Sequence, residues 1–123
     1  MTAPNIVNVT SIVGNSLSVA VGTSATQLAS NAASSGKVYK INSIVIANID
    51  GTNAADITVN IYSAAALGGT PLAVVSTISV PADASLIVTD KTTTFYLLED
   101  QSIGAIAGTA GDLVATASWE EIT

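Results

Sequence analysis

Twelve side chains in this 123-residue chain are charged, three Lys and nine Asp or Glu, and any acid–base chemistry has to come from them. Two acidic pairs stand out, Glu99-Asp100 and Glu120-Glu121. A pair of carboxylates flanking one bond is the machinery of glycoside hydrolysis. Adjacent residues of a strand point to opposite faces, so neither pair converges on a substrate by itself. Only a pairing across the two segments would make a site. The competing reading, polar loop and edge residues that keep strand ends soluble, is preferred. Lys37, Lys40 and Lys91 are the candidate bases for activating a Ser hydroxyl, because the chain has no His. No G-x-S-x-G turn accompanies them, and a solvated strand-end Lys is expected at each.

Asp50-Gly51-Thr52-Asn53-Ala54-Ala55-Asp56 offers oxygens at the short spacing that suits Ca²⁺. It lacks the carboxylate ladder and terminal Glu of an EF-hand loop, so a hairpin connection closed by Asx hydrogen bonds is expected instead. The aromatic side chains are Tyr39, Tyr62, Phe95, Tyr96 and Trp119. Exposed, they could stack on sugars or bases. Trp119, however, shares its strand face with Leu113, Ala115 and Ala117, the setting of a core or subunit-contact anchor. No catalytic, cofactor-binding or metal-ligating residue is assigned, and an enzyme is not expected.

Composition excludes several classes outright. Without Cys there is no disulfide and no thiolate metal site. Without Arg the bidentate phosphate fork is missing. A net charge of −6 repels a nucleic-acid backbone. No apolar run approaches the length of a membrane-spanning helix, and Met1-Thr2-Ala3-Pro4-Asn5 lacks the basic and apolar regions of a secretion signal. Asn8-Val9-Thr10 is therefore read as a chance match to the glycosylation pattern. Polarity is carried by 29 Ser and Thr, and 20 Ala supply small apolar bulk. A monomer of this size exposes about 6,000 Å², so its charges are sparse. Burial against other subunits is the expected completion.

The elements that must position these residues follow period two. Ile57, Val59 and Ile61 alternate with Thr58, Asn60 and Tyr62, and Leu113 to Ile122 alternates again. Val74 to Val80 places Val74, Ile78 and Val80 on one face. Val38 to Asn48 holds Ile44-Val45-Ile46, which implies cover on both faces. Leu86 to Val88, Phe95 to Leu98 and Ile103 to Ala107 are shorter candidates. Turn-forming clusters separate them at Asn31 to Gly36, Asp50 to Asn53, Gly68 to Pro71, Pro81 to Asp83 and Gly108 to Asp112. Thr26 to Ser34 is the best helical alternative, and Ala64-Ala65-Ala66 reads as loop. The fold class is all-β, an antiparallel β-sandwich of jelly-roll or immunoglobulin-like type. Residues 23–123 form the sandwich. Residues 1–22, with strand-like Asn5 to Val13 and Leu17 to Val21 split by Gly14-Asn15, are either its first hairpin or an arm that pairs with a neighbouring subunit.

The second half carries a resemblance. Val80-Pro81-Ala82, Leu86-Ile87-Val88, Lys91, Phe95 through Ile103, and Leu113-Val114 through Ser118-Trp119-Glu120-Glu121-Ile122 occur in one order. Tyr39 through Ile44 and Ile57-Thr58-Val59 extend the pattern upstream. The chain resembles small virion structural proteins of tailed bacteriophages, particularly head-decoration (cement) proteins of marine cyanobacterial phages. The likeness covers about residues 37 to 122. It departs where relatives often have Glu-Gly-Asp in place of Glu99-Asp100-Gln101, and Tyr in place of Trp119. The resemblance implies no catalytic motif. It implies a structural protein on the outer surface of a capsid, a homo-oligomer with a trimer favoured, and a major capsid protein or other virion protein as partner, with neither nucleic acid nor membrane involved. Tail, neck or fibre components and a carbohydrate-binding adhesion module are the alternatives.

Overall fold

The computed structural model describes residues 4–123. Nine strands are present among them: β1 (Ile12–Ala20), β2 (Thr26–Asn31), β3 (Val38–Asn48), β4 (Ala55–Ala64), β5 (Gly68–Val80), β6 (Ser85–Thr89), β7 (Phe95–Leu97), β8 (Gln101–Ala107) and β9 (Leu113–Ile122). The described residues contain no helix. One sheet runs β1-β9-β3-β6, with β7 also on β3, and the other runs β2-β8-β4-β5. Every pairing is antiparallel. The chain passes back and forth between the sheets, which is the jelly-roll form of an antiparallel sandwich.

The alternating apolar residues face inward as their period requires. Ile44, Ile46, Ile57, Val59, Leu97, Leu113 and Ala115 have no appreciable exposed surface. Each fully buried Ile or Leu contributes roughly 1.5–3 kcal/mol. The interior strands β8 and β9 bring small residues, Ala105, Ala107, Ala115 and Ala117, to the core. Gly104 is closely packed, because a Cβ there would lie 2.8 Å from Leu67 Cδ2 and 3.0 Å from the Tyr62 ring, and one of these side chains would have to shift.

One alternative is decided and two local expectations are corrected. Thr26 to Asn31 is strand β2 and not a helix: its backbone completes the ladder of β8, and Leu28 and Ala29 are buried. Tertiary pairing overrides the weak helical preference of an Ala/Ser segment. Gly68 to Pro71 begins β5 instead of forming a turn, since Pro is tolerated on an outermost strand. Val74 and Ile78 are exposed, at 38% and 41%, while Val80 is buried. Register shifts along the β4–β5 ladder break the simple alternation.

The 1–22 segment is described from Pro4 onward, so Met1 to Ala3 lie outside the described residues. β1 is continuous through Gly14 and Asn15, opposite Glu120 and Trp119 of β9. It forms no hairpin with β2, which lies in the other sheet. Thr10 and Ser11 extend the contact through backbone hydrogen bonds to Thr123.

Two buried asparagines fix the connections. Asn48 Nδ2 donates to the carbonyls of Asn53 (3.0 Å) and Val80 (2.9 Å), and its Oδ1 accepts from the Asp50 amide at 2.9 Å. Asn31 Nδ2 donates to the carbonyls of Lys37 (3.0 Å) and Leu97 (3.2 Å). Among the described residues no buried side-chain nitrogen or oxygen lacks a partner. Replacing Asn48 by Ala orphans two carbonyls and one amide. The expected loss is roughly 2–3 kcal/mol of unfolding free energy, read by urea denaturation with an unchanged m-value; a change below about 0.5 kcal/mol would contradict this role.

Candidate functional site

The four carboxylates of the acidic pairs each accept from their own donors. Glu99 and Asp100 sit in the turn between β7 and β8, where Asp100 has a φ of 57°. Glu99 accepts from the Gly36 amide at 3.4 Å, and Asp100 accepts from the Ala65 amide at 3.0 Å. Glu120 accepts from Asn42 Nδ2 at 3.0 Å. Glu121 is the most connected of the four. It accepts from Asn15 Nδ2 (2.7 Å), Lys37 Nζ (3.2 Å) and Trp119 Nε1 (3.4 Å). These donors arrive because β9 lies between β1 and β3 and pairs Glu121 with Val13 on one side and Tyr39 on the other. Each carboxylate therefore ties down a different neighbour, and none faces a shared cleft. Among the described residues no pocket is enclosed.

Lys37 is held in the ion pair with Glu121, a partly exposed contact worth about 0–1 kcal/mol. Lys40 lies half-buried in β3, and Lys91 is exposed in the turn after β6. Asp50 closes its own loop, accepting from the amides of Thr52 (2.7 Å) and Asn53 (3.2 Å). These amides hold its carboxyl below the usual range, and the Thr92 hydroxyl and amide do the same for Asp90. Such a carboxylate adds stability above its ordinary pKa and loses it as pH falls through the lowered value. Among the described residues no three Asp or Glu side chains gather in a way that would hold a metal ion.

The aromatic residues divide by depth. Tyr39 and Tyr62 are buried, Phe95 and Trp119 half-buried, and Tyr96 is 44% exposed. Tyr39 and Trp119 stack on each other, with ring centroids 6.4 Å apart and planes 18° from parallel. Their faces are thus occupied by each other and by the core against which Trp119 packs.

The sequence reading missed a clasp on the β4–β5 hairpin. Ala65 to Gly68 form a tight turn with the Gly68 amide on the Ala65 carbonyl at 3.1 Å, and both central residues, Ala66 and Leu67, have positive φ. Asn-Gly is the usual occupant of such a turn, so Ala66-Leu67 carries strain; the loop expected at Ala64-Ala65-Ala66 falls here, while the turn type gives no sequence signal. Three hydrogen bonds from outside hold it: Asp100 on Ala65, the Ser30 hydroxyl on Ala66, and the Ser102 hydroxyl on Leu67. Asn tolerates the left-handed region, so Ala66→Asn should raise stability by roughly 0.5–1 kcal/mol in thermal or urea melts; a loss would contradict the strain.

Tyr39 carries a pH signature. Burial raises its pKa above 10.0 and the neighbouring Glu121 charge raises it further, against a smaller lowering by Lys37. The unfolded chain therefore gives up this proton first as pH rises, and stability present below about pH 10 is lost above it. The melting temperature should fall more steeply between pH 9 and 11 for the natural chain than for Tyr39→Phe. Parallel curves would reject this environment for Tyr39.

No family model matches the chain, and no curated protein matches its sequence. Among solved structures it is similar to a protein of the Bacillus endospore appendages, which are described as a novel family of disulfide-linked pili. The TM-score is 0.51 at 20% identity, over 91% of this chain and 88% of that one. At that identity the likeness shows the fold alone, and the present chain has no Cys with which to form a disulfide.

Proposed function

We propose that this chain is a non-enzymatic structural subunit of a tailed-phage particle, a decoration protein that binds the outer face of the capsid and acts as a homo-oligomer, with a trimer favoured. The observation that carries the reading is the pairing of sparse charge with exposed apolar side chains. Ile49, Leu72 and Ile87 are each exposed by 60% or more on a chain with twelve charges in all. Transferring such side chains from water to a protein contact returns roughly 1.5–3 kcal/mol each. A subunit that binds only the assembled shell stabilises it by mass action. The carboxylates support a structural role, because Glu99, Asp100, Glu120 and Glu121 each bind a neighbouring segment of the sandwich. The fold likeness supports it too, since the similar protein is itself part of an endospore appendage.

A second reading is a tail, neck or fibre component. It is favoured by the likeness to an appendage protein and by the open lateral edges of both sheets. The carbohydrate-module reading loses support from the stacking of Tyr39 on Trp119, which leaves Tyr96 as the one aromatic ring well exposed among the described residues.

Image reconstruction of whole particles, with copy number from quantitative gel densitometry, separates the two structural readings. Decoration predicts hundreds of copies in register with the capsomers, and heads that withstand higher temperature when the protein is bound. A few copies at the tail or neck would replace decoration with the second reading. Absence from particles would overturn both.

A further inference from the structure

We infer that copies of this chain join head to tail through their sheet edges, β5 of one copy pairing with β1 of the next. The inference deepens the structural reading above and rests on it only for the premise that the chain works in an assembly.

The first observation is where the charges are not. Residues 1–36 and 57–82 contain no Asp, Glu, Lys or Arg. Within strands, charge occurs at Lys40 of β3, Asp56 of β4, and Glu120 and Glu121 of β9, and all three strands have neighbours on both sides. The strands that end a sheet, β1, β2, β5 and β6, have none. Soluble sandwiches ordinarily do the reverse, placing Lys and other charges on edges to block pairing with another chain. The remaining eight charges fall in the connections between strands, so copies set side by side keep their acidic groups away from the contact.

The second observation is the state of β5. Its 13 residues lie along the ten of β4, three register shifts and a positive φ at Thr77 taking up the difference, so it spans about 33 Å, and it pairs on one side only, with β4. All but Gly68, Val75 and Val80 are exposed, and Leu72, Val74 and Ile78 are apolar. The strand reaches past the cover given by the five-residue β6 and leaves both its backbone edge and its side chains in water.

The third observation selects the occupant. β1 ends the other sheet with nine residues, a length of about 30 Å that fits along β5. It too pairs on one side only, with β9, and carries exposed Ile12 and Val13. Across the sandwich β5 packs on β6 and β3, while β9, the neighbour of β1, packs on β2. The two edges therefore lie on opposite flanks. A contact between opposite flanks is heterologous: it uses one edge from each copy and leaves one free at each end. It closes into a ring if the rotation permits and otherwise continues. For an acidic chain, the matching uncharged edge of its own copy is a complementary partner that brings no further charge to the contact.

The test uses two single-edge variants of the full chain. Val74→Lys, with Ile78→Lys as a second choice, charges β5; Val13→Lys, with Ser16→Lys as a second, charges β1. All four positions are exposed, and circular dichroism melts confirm the fold. Light scattering after size exclusion should show the natural chain as assemblies of three or more copies, and each variant alone as a monomer, its association weakened by about tenfold or more. Mixing a β5 variant with a β1 variant should give a one-to-one pair that grows no further, because one intact edge of each remains. A natural chain that is monomeric up to about 1 mM, variants that assemble as it does, or a mixture that forms no pair would each overturn the inference. A dimer that survives either β1 change and is lost on both β5 changes would overturn it too. A monomer that still decorates heads would sink this contact and leave the structural reading standing.

Discussion

A strand at the end of a sheet presents a row of backbone N–H and C=O groups that only water or another strand can satisfy. In a two-sheet sandwich this requirement recurs on both flanks, and it organises the rest of this molecule. Lys40, Asp56, Glu120 and Glu121 all lie on strands whose backbone is already paired on both sides. The outermost strands carry hydroxyls, amides and aliphatic groups instead. A chain with so few ionic groups cannot spread them evenly over its surface. Placing them at strand ends and on interior strands keeps solubility at the poles and leaves the flanks neutral.

A neutral edge is useful in assembly only if it is held in shape. The buried Asn48 ties the end of β3 to the carbonyl of Val80, the last residue of β5. At the other end of β5, the clasp from Ser30, Ser102 and Asp100 holds the strained turn before Gly68. Both ends of the longest edge strand are thus fastened to other parts of the sandwich, by a buried hydrogen bond at Val80 and by exposed or partly buried ones at the turn. Glu121 does the same for the opposite flank, binding Asn15 of β1, Trp119 of β9 and Lys37 just before β3. Of the residues that look catalytic by type, Asp100 and Glu121 hold edge strands.

Legibility in the sequence followed burial. β3, β4 and β9 are covered on the core face, so selection for period two is strong, and Ile57-Val59-Ile61 and Leu113-Ala115-Ala117 announce it. The edges obey weaker rules. β1 contains Gly14-Asn15, which reads as a turn but pairs without interruption against Glu120 and Trp119. β5 opens with Gly68-Gly69-Thr70-Pro71, a turn by composition, yet outermost strands tolerate Gly and Pro because half their ladder is free. β2 hides in an Ala/Ser-rich stretch whose strand character comes from β8. The site residues were legible as chemical types and not as partners. Glu99, Asp100, Glu120 and Glu121 were identifiable at once, whereas the sequence-distant partners they bind, among them Gly36, Ala65, Asn42 and Asn15, depend on strand order. The buried Asn31 and Asn48 gave no signal beyond a turn-forming residue at a strand end.

Completion of the flanks by copies of the same chain is open to direct measurement. Amide hydrogen exchange, followed over about a hundredfold range of protein concentration, reads this directly strand by strand. The amides of Ile12–Ala20 and Gly68–Val80 should gain protection as concentration rises, while those of the interior strands β3, β8 and β9 stay constant. Protection of both edge strands that is independent of concentration would contradict it.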